Sequence, residues 1–124
     1  MTTDAMAASL ALVRQAESDA GRWDAHMAGA EALLRHALLA SPQDTGLLIC
    51  LGAVLCDQAK YQDAVHALEA ALKLGSTDSH AHYNLGVALA GLAKPRKAMA
   101  QFGKASGLAA SGQTWTAYFD PQAQ

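Results

Sequence analysis

One period of 34 residues constrains the fold of this chain more than any other feature of its sequence. The pairs that share this offset are Leu51-Gly52 with Leu85-Gly86, Leu55 with Leu89, Ala64 with Ala98, Leu68 with Phe102, and Ala71 with Ala105. A fixed period of this length is typical of stacked helical hairpins, because a single hairpin leaves an apolar side that the next copy must cover. We therefore predict an all-α chain built from successive hairpins.

The residues within each copy resemble the tetratricopeptide repeat, whose pattern is W-x2-L-G-x2-Y, then A-x3-F, then P. The last copy reads His82-x2-Leu85-Gly86-x2-Leu89, followed by Ala98-x3-Phe102. The copy before it reads Leu48-x2-Leu51-Gly52-x2-Leu55, followed by Ala64-x3-Leu68 and Ser76. An incomplete copy further upstream consists of Ala30-x3-Leu34, Ala37 and Pro42. No copy opens with Trp, and Leu stands in the Tyr position. The resemblance implies a right-handed superhelix of three helical hairpins.

We predict a single domain with a short C-terminal capping helix. The units are a degenerate repeat 1 at about 4–42, repeat 2 at about 45–78, repeat 3 at about 79–110 and the cap at 112–120. The predicted helices cover about 4–20, 24–40, 45–58, 62–74, 78–92, 95–109 and 113–119. The signals for their ends are N-caps at Asp44 or Thr45 and at Thr77 or Asp78, a C′ glycine at Gly75 and a proline at the first helical position, Pro95. In the repeat that the chain resembles, Gly52 sits where the two helices of a hairpin touch.

Composition argues against two classes of partner. The net charge is −2 and no Lys/Arg stripe forms, so we expect no nucleic acid partner. The longest apolar run, 47–56, is shorter than the ~20 residues of a membrane span. Residues 1–4 carry an acid rather than the basic start of a signal peptide, which predicts a cytoplasmic protein. Only 16% of residues are charged, which indicates either a surface that a partner covers or an alanine-rich helical surface.

Cys50 and Cys56 lie six residues apart on one predicted helix. Their Cα atoms should then be roughly 9–10 Å apart, beyond the ~7 Å limit for a disulfide. They also point in different directions around the helix, so we expect neither a disulfide nor a chelating pair. We interpret them as buried or groove-lining thiols in a reducing compartment.

Repeats of this kind bind partners on a concave face formed by the first helix of each hairpin. The resemblance gives the groove positions as Ile49, Cys50, Ala53 and Cys56 in one copy and His80, Tyr83, Asn84 and Val87 in the next. The Asn84 amide can hold a peptide backbone group. Ile49, Ala53 and Val87 stand where some family members carry a Lys, Asn and Arg clamp for a carboxylate, so we expect an apolar segment, either an amphipathic helix or an extended peptide. Periodicity alone does not distinguish these groove positions from ordinary core.

A pair of histidines and a cluster of aromatic residues are further candidate sites. His80 and His82 point ~200° apart on a helix and cannot chelate together, so we expect no metal. Trp115, Tyr118 and Phe119 stand at helical spacing, where they either cap the exposed face of the sixth helix or dock in a neighbour's groove and drive self-association.

The sequence predicts no enzyme and no cofactor. It contains no nucleophile–base pair or phosphate-binding glycine loop, and Asp57, Asp63 and Glu69 fall at solvent-side spacing. We expect an adaptor or small chaperone that binds another protein or peptide. The alternatives are a self-assembling scaffold, formed through the groove or the aromatic residues, and a bacterial secretion-system chaperone, a role that short members of this family often have.

Overall fold

The computed structural model describes residues 2–118, with side chains from residue 4 onward. The elements are α1 Thr2–Ser18, a 3-10 turn Ala20–Arg22, α2 Trp23–Ala40, α3 Thr45–Asp57, α4 Tyr61–Lys73, α5 Ser79–Gly91 and α6 Pro95–Ser106. No strand occurs within residues 2–118, so the all-α prediction is confirmed for this part of the chain. None of these six helices is long and apolar enough to cross a membrane.

The helices pack as three successive hairpins. α1 packs on α2, α3 on α4 and α5 on α6, and neighbouring hairpins join through α2–α3, α4–α5, α1–α3 and α3–α5. Within residues 2–118, no helix of the first hairpin contacts a helix of the third. The helices therefore form an open stack rather than a closed bundle, and α3 lies in the middle, touching every helix except α6.

The 34-residue period of the sequence also recurs at the N-terminal ends of α3 and α5. Asp44 precedes α3 and Asp78 precedes α5, and each carboxylate accepts a backbone N–H of the first turn, from Leu47 at 3.0 Å and from His80 at 2.9 Å. A side-chain cap of this kind contributes about 1 kcal/mol to stability. Both predicted N-caps are confirmed, and in each case the aspartate is the capping residue.

The ends of α3 and α5 repeat in the same way. The Lys60 N–H donates to the Leu55 carbonyl at 2.9 Å, and Lys94 makes the equivalent bond in the next copy at the same distance, which gives each helix a Schellman end. Each turn passes through an alanine in the left-handed region, Ala59 at φ 59° and Ala93 at φ 60°. Both turns therefore carry backbone strain at the same place.

Two glycines let the helices of a hairpin touch. A Cβ on Gly52 would lie 2.5 Å from the side chain of Leu68, and one on Gly86 would lie 2.5 Å from the ring of Phe102. Such distances are far inside van der Waals contact, so only glycine fits without a shift of the facing helix. The predicted role of Gly52 at the contact between α3 and α4 is confirmed, and Gly86 has the same role between α5 and α6.

The chain beyond α6 departs from the prediction. α6 ends at Ser106 instead of near 109, and the predicted capping helix at 112–120 is wrong over residues 112–118, while Phe119 and position 120 lie outside the described residues. The N–H groups of Ala117 and Tyr118 donate to side chains of other helices, not to carbonyls of their own segment. The segment does not cap α6 either, because the outer face of α6 stays exposed and Met99 is 61% exposed.

Candidate functional site

The tail, defined as residues 111–118, lies in an extended form on a surface made by α3 and α5. Its hydrogen bonds begin at Asp78 before α5, continue at Asn84 within α5 and end at Asp57, the last residue of α3. The tail therefore runs in the same direction as both helices. The side chains that contact it in this way form what we call the groove, namely Cys50, Asp57, Asp78, His80 and Asn84.

Asn84 binds the backbone of the tail at two points. Its Nδ2 donates to the Trp115 carbonyl at 3.0 Å, and its Oδ1 accepts the Ala117 N–H at 2.9 Å. A parallel β-strand engages its neighbour in the same way, through a carbonyl and the N–H two residues further on. The side chain of Asn84 is wholly buried, and its amide takes the place of one residue of such a strand. Asn84 thus contacts backbone atoms of the tail, and these two hydrogen bonds do not depend on the tail's side chains.

Asp78 binds the start of the tail. Its carboxylate accepts the Thr114 hydroxyl at 2.6 Å and the Ser111 N–H at 3.3 Å, in addition to the capping bond from the His80 N–H. The Thr114 hydroxyl has one proton, which it gives to Asp78. His80 Nδ1, which lies 2.9 Å from Thr114 Oγ1, must therefore be the donor of that second bond. This end of the groove holds the neutral hydroxyl side chain of Thr114.

Asp57 and Trp23 bind the end of the tail. Asp57 Oδ2 accepts the Tyr118 N–H at 2.9 Å, and the ring of Trp23 packs against that of Tyr118 with centroids 5.6 Å apart. Trp23 also donates its indole N–H to the Asp57 carbonyl at 3.4 Å. Asp57 is only 6% exposed, so its predicted solvent-side position is wrong. One feature of the sequence does indicate that Asp57 has hydrogen-bond partners. A carboxylate at a helix C-terminus faces the negative end of the helix dipole, so it needs hydrogen-bond donors to offset the repulsion.

The floor of the groove is uncharged. Cys50 Sγ lies 4.0 Å from the Gln113 carbonyl oxygen, and Cys56 Sγ lies 3.6 Å from that of Asn84. Both cysteines are buried free thiols. Burial raises the pKa of the Cys50 thiol to about 12 and raises the pKa of the Cys56 thiol well above its ordinary range. Both thiols stay protonated at neutral pH, so they act as weak donors and not as nucleophiles.

Three of the eight groove positions that the resemblance gave contact the tail, and three more are buried on the same two helices. Cys50, His80 and Asn84 meet the tail directly. The small residues that are buried on the same two helices are Ala53, Cys56 and Val87. The backbone contact expected of the Asn84 amide is the contact that the tail makes.

The other two positions belong to helix packing. Ile49 packs with Ala71 and Ala81, which places it between α4 and α5. Tyr83 packs its ring on that of Phe102 in α6, with centroids 5.3 Å apart. Periodicity could not separate these two environments, because all eight positions fall on the same two helices.

The remaining predicted residues fall in different places. In the tail, Trp115 is half-buried and Tyr118 is 54% exposed, while Phe119 lies outside the described residues. His82 Nδ1 lies 2.8 Å from Gln101 Oε1 on α6, which fixes its ring in the hairpin. No group of three His, Cys, Asp or Glu side chains in the described part of the chain is arranged to hold a metal ion.

An open recess of about 620 Å³ adjoins the start of the tail. It lies between the N-terminal ends of α3 and α5, and its lining includes Met6, Ile49 and Gln113. A segment that entered the groove along the path of the tail would therefore have room to continue beyond the position of Gln113.

In comparisons with known proteins, no protein-family model and no curated protein matches the chain.

Proposed function

We propose that this protein is a protein-binding module of the tetratricopeptide type, in which three hairpins form a right-handed superhelix. Its concave face along α3 and α5 would bind an extended, uncharged segment of another protein, of apolar or amphipathic character. The module then acts as an adaptor or small chaperone and not as an enzyme. The observation that carries the proposal is the two-point contact between Asn84 and a peptide backbone.

The burial of Asn84 is what makes this contact informative. A buried amide without partners costs about 1–3 kcal/mol, so an asparagine on an otherwise apolar part of α5 is tolerated only if a backbone segment engages it. The neighbouring buried positions, Ala53 and Val87, offer no polar group that could do so. Asn84 is thus suited to hold a peptide backbone, which here is that of the chain's own tail.

The charges along the groove favour an uncharged ligand. The carboxylates of Asp57 and Asp78 face the two ends of the tail, where they accept N–H and O–H groups. A ligand carboxylate would meet like charge at either end. Family members that bind an acidic terminus use basic side chains instead, and Ile49, Ala53 and Val87 stand at those positions.

The repeated construction supports the superhelix. The caps at Asp44 and Asp78 and the close contacts at Gly52 and Gly86 recur with one period in the second and third hairpins, as a superhelix would require. The proposal includes a cytoplasmic location, for which the two free cysteines give support, because a reducing compartment keeps thiols unpaired.

A nuclear magnetic resonance titration tests the function directly. Asn84 is the only asparagine of the chain, so the pair of proton signals from its side-chain amide is assigned to it directly. Short uncharged peptides with Thr, Trp and Ala should shift that signal, and peptides of equal length rich in Asp and Glu should not. Asn84→Leu keeps the branched shape of the side chain and removes both hydrogen bonds, so it should weaken peptide binding at least about tenfold. Binding that is the same in Asn84→Leu and in the unaltered chain would exclude the groove.

Self-assembly is the second candidate, and the tail is the observation that favours it. The contacts of Asn84 and Asp57 with Ala117 and Tyr118 involve only backbone groups of the tail, so the tail of a second copy could make them. Light scattering over a range of protein concentrations decides between the two. A mass that rises to that of a dimer or larger supports the scaffold, and a constant monomer mass excludes it.

A further inference from the structure

We infer that the tail is a built-in ligand of the groove, which a partner must displace, and that the partner presents a neutral extended segment of the form hydroxyl–aromatic–any–small. This inference rests on the proposed function and names both its ligand class and its control. The form is that of Thr114, Trp115, Thr116 and Ala117.

The contacts that hold the tail are those of a ligand. Three groove side chains, Asp57, Asp78 and Asn84, engage four backbone groups of the tail, which are the N–H groups of Ser111, Ala117 and Tyr118 and the carbonyl of Trp115. None of these bonds requires a particular side chain on the tail. Any extended segment in the same register would satisfy the same donors and acceptors.

The side chains of the tail show which segments fit. Thr114 and Ala117 are buried, at 8% and 7% exposure, whereas Thr116 between them is exposed. The methyl group of Ala117 belongs to the buried core cluster, so only a small residue fits there without a shift of its neighbours. The Thr114 position requires a hydroxyl, because Asp78 and His80 both hydrogen-bond to it.

The tail fills the groove imperfectly. The indole Nε1 of Trp115 is buried and has no hydrogen-bond partner among the residues that the structure describes. Burying a donor without an acceptor opposes docking of the tail, whereas a segment with phenylalanine in that position would avoid the penalty. The tail gains instead from its short connection to α6, since tethering gives an effective concentration on the order of millimolar for a short flexible linker. A free segment therefore has to bind well to replace it.

Two full-length variants separate docking of the tail from folding of the helices. Ala117→Glu places a charge at the buried position, one residue before the Tyr118 N–H that Asp57 accepts, and should expel the tail. Thr116→Glu adds the same charge one residue away at an exposed position and serves as the matched control. The probe is a fluorescent peptide with the sequence of residues 112–118, and its affinity is measured by anisotropy.

We expect the Ala117→Glu protein to bind the probe at least tenfold more tightly than the unaltered chain or Thr116→Glu. Its helical circular dichroism should be unchanged, and the amides of residues 117 and 118 should lose protection from hydrogen exchange. A probe with phenylalanine in place of Trp115 should bind at least as tightly as the parent probe, despite its smaller ring.

The other outcomes overturn the inference in distinguishable ways. If all three proteins bind the probe equally and the Asn84 signal moves, the groove binds peptides and the tail does not control it. If Ala117→Glu stays helical, exposes its tail amides and binds no probe, the proposed function fails as well. If Ala117→Glu loses helix, the tail is part of the folded core and not a ligand. If the unaltered chain is a dimer that Ala117→Glu converts to a monomer, the tail belongs in a second copy.

Discussion

Ala59 and Ala93 adopt a backbone conformation that residues with a side chain avoid. The left-handed region costs an L-residue about 1–2 kcal/mol. Glycine avoids that strain but loses more conformational entropy on folding than alanine, which costs about 0.4–1 kcal/mol. Their φ angles are 59° and 60°, whereas Gly75 at φ 94° closes a similar turn after α4 without a side chain. Ala93→Gly should therefore raise the free energy of unfolding by about 0.5–1 kcal/mol, measured by urea denaturation.

Two companion variants test the reason for that gain. Ala59→Gly should give a similar gain, because its turn is built in the same way. Gly75→Ala should instead lower the free energy of unfolding. A loss of stability in Ala93→Gly would mean that its methyl group makes a contact worth more than the backbone strain.

Glu31 on α2 ties the first hairpin to the end of α3. It accepts hydrogen bonds from Arg35 at 2.7 Å, Gln58 at 2.9 Å and Lys60 at 3.0 Å. Partial burial alone raises the pKa of Glu31, but the three donors outweigh burial and lower the pKa from 4.5 to about 2. Because the folded-state pKa is the lower one, the carboxylate stabilises the fold fully above pH 4.5, and this stabilisation is lost as the pH falls toward about 2.

Glu31→Gln should remove this pH dependence. Since Arg35 and Lys60 are about half exposed, the variant should lose no more than about 1 kcal/mol at neutral pH. The difference from the unaltered chain should shrink below pH 4.5 and vanish near pH 2, as followed by urea unfolding at several pH values. A difference that stays constant over this range would show that Glu31 acts through packing and not through charge.

At the scale of the helices, close approach at glycine fixes how each hairpin closes. Gly52→Ala would force a methyl group into Leu68, which is wholly buried and cannot move aside. Overpacking of this kind costs about 1–3 kcal/mol and outweighs the gain of up to about 1 kcal/mol in helix propensity. We expect a net loss of about 1–2 kcal/mol in the free energy of unfolding, measured by thermal denaturation.

Gly103 provides the matched control within α6. A Cβ there would meet no atom of the described residues within 4 Å, so Gly103→Ala gains helix propensity without a clash. It should raise stability by up to about 1 kcal/mol. If Gly52→Ala were also stabilising, the contact between α3 and α4 would have to be looser than the structure shows.

At the scale of the whole molecule, the proposed role of the tail can be followed through the reactivity of Cys50. Its Sγ lies 4.0 Å from the Gln113 carbonyl oxygen of the tail, and the thiol is wholly buried. Ala117→Glu should therefore speed the reaction of Cys50 with iodoacetamide at least about tenfold, because access to a buried thiol follows the population of the open state. Mass mapping of the labelled cysteines reports the result, with Thr116→Glu as the control. Equal rates in the two variants would mean that some other element covers Cys50.

The local construction of the hairpins could be predicted from the sequence. α3 at Thr45–Asp57 and α5 at Ser79–Gly91 lie within one residue of the predicted spans at 45–58 and 78–92. Caps, C′ residues and close-packing glycines act on neighbours in the chain or on the next helix, so their signals stand within one repeat. The Asn84 amide was found for the same reason, because one position within a repeat marked it.

The tail could not be predicted in this way. Trp115 and Tyr118 stand at helical spacing, and a local pattern gives no reason against a helix there. Their segment is extended because its backbone groups find partners in Asn84 and Asp57, which lie 33 and 61 residues away from the residues that they bind. The sequence alone thus determined the repeating helical hairpins, since helix periodicity and capping are short-range interactions. Only the tertiary structure decided what lies in the groove, since hydrogen bonds between distant segments exist only once the hairpins have stacked.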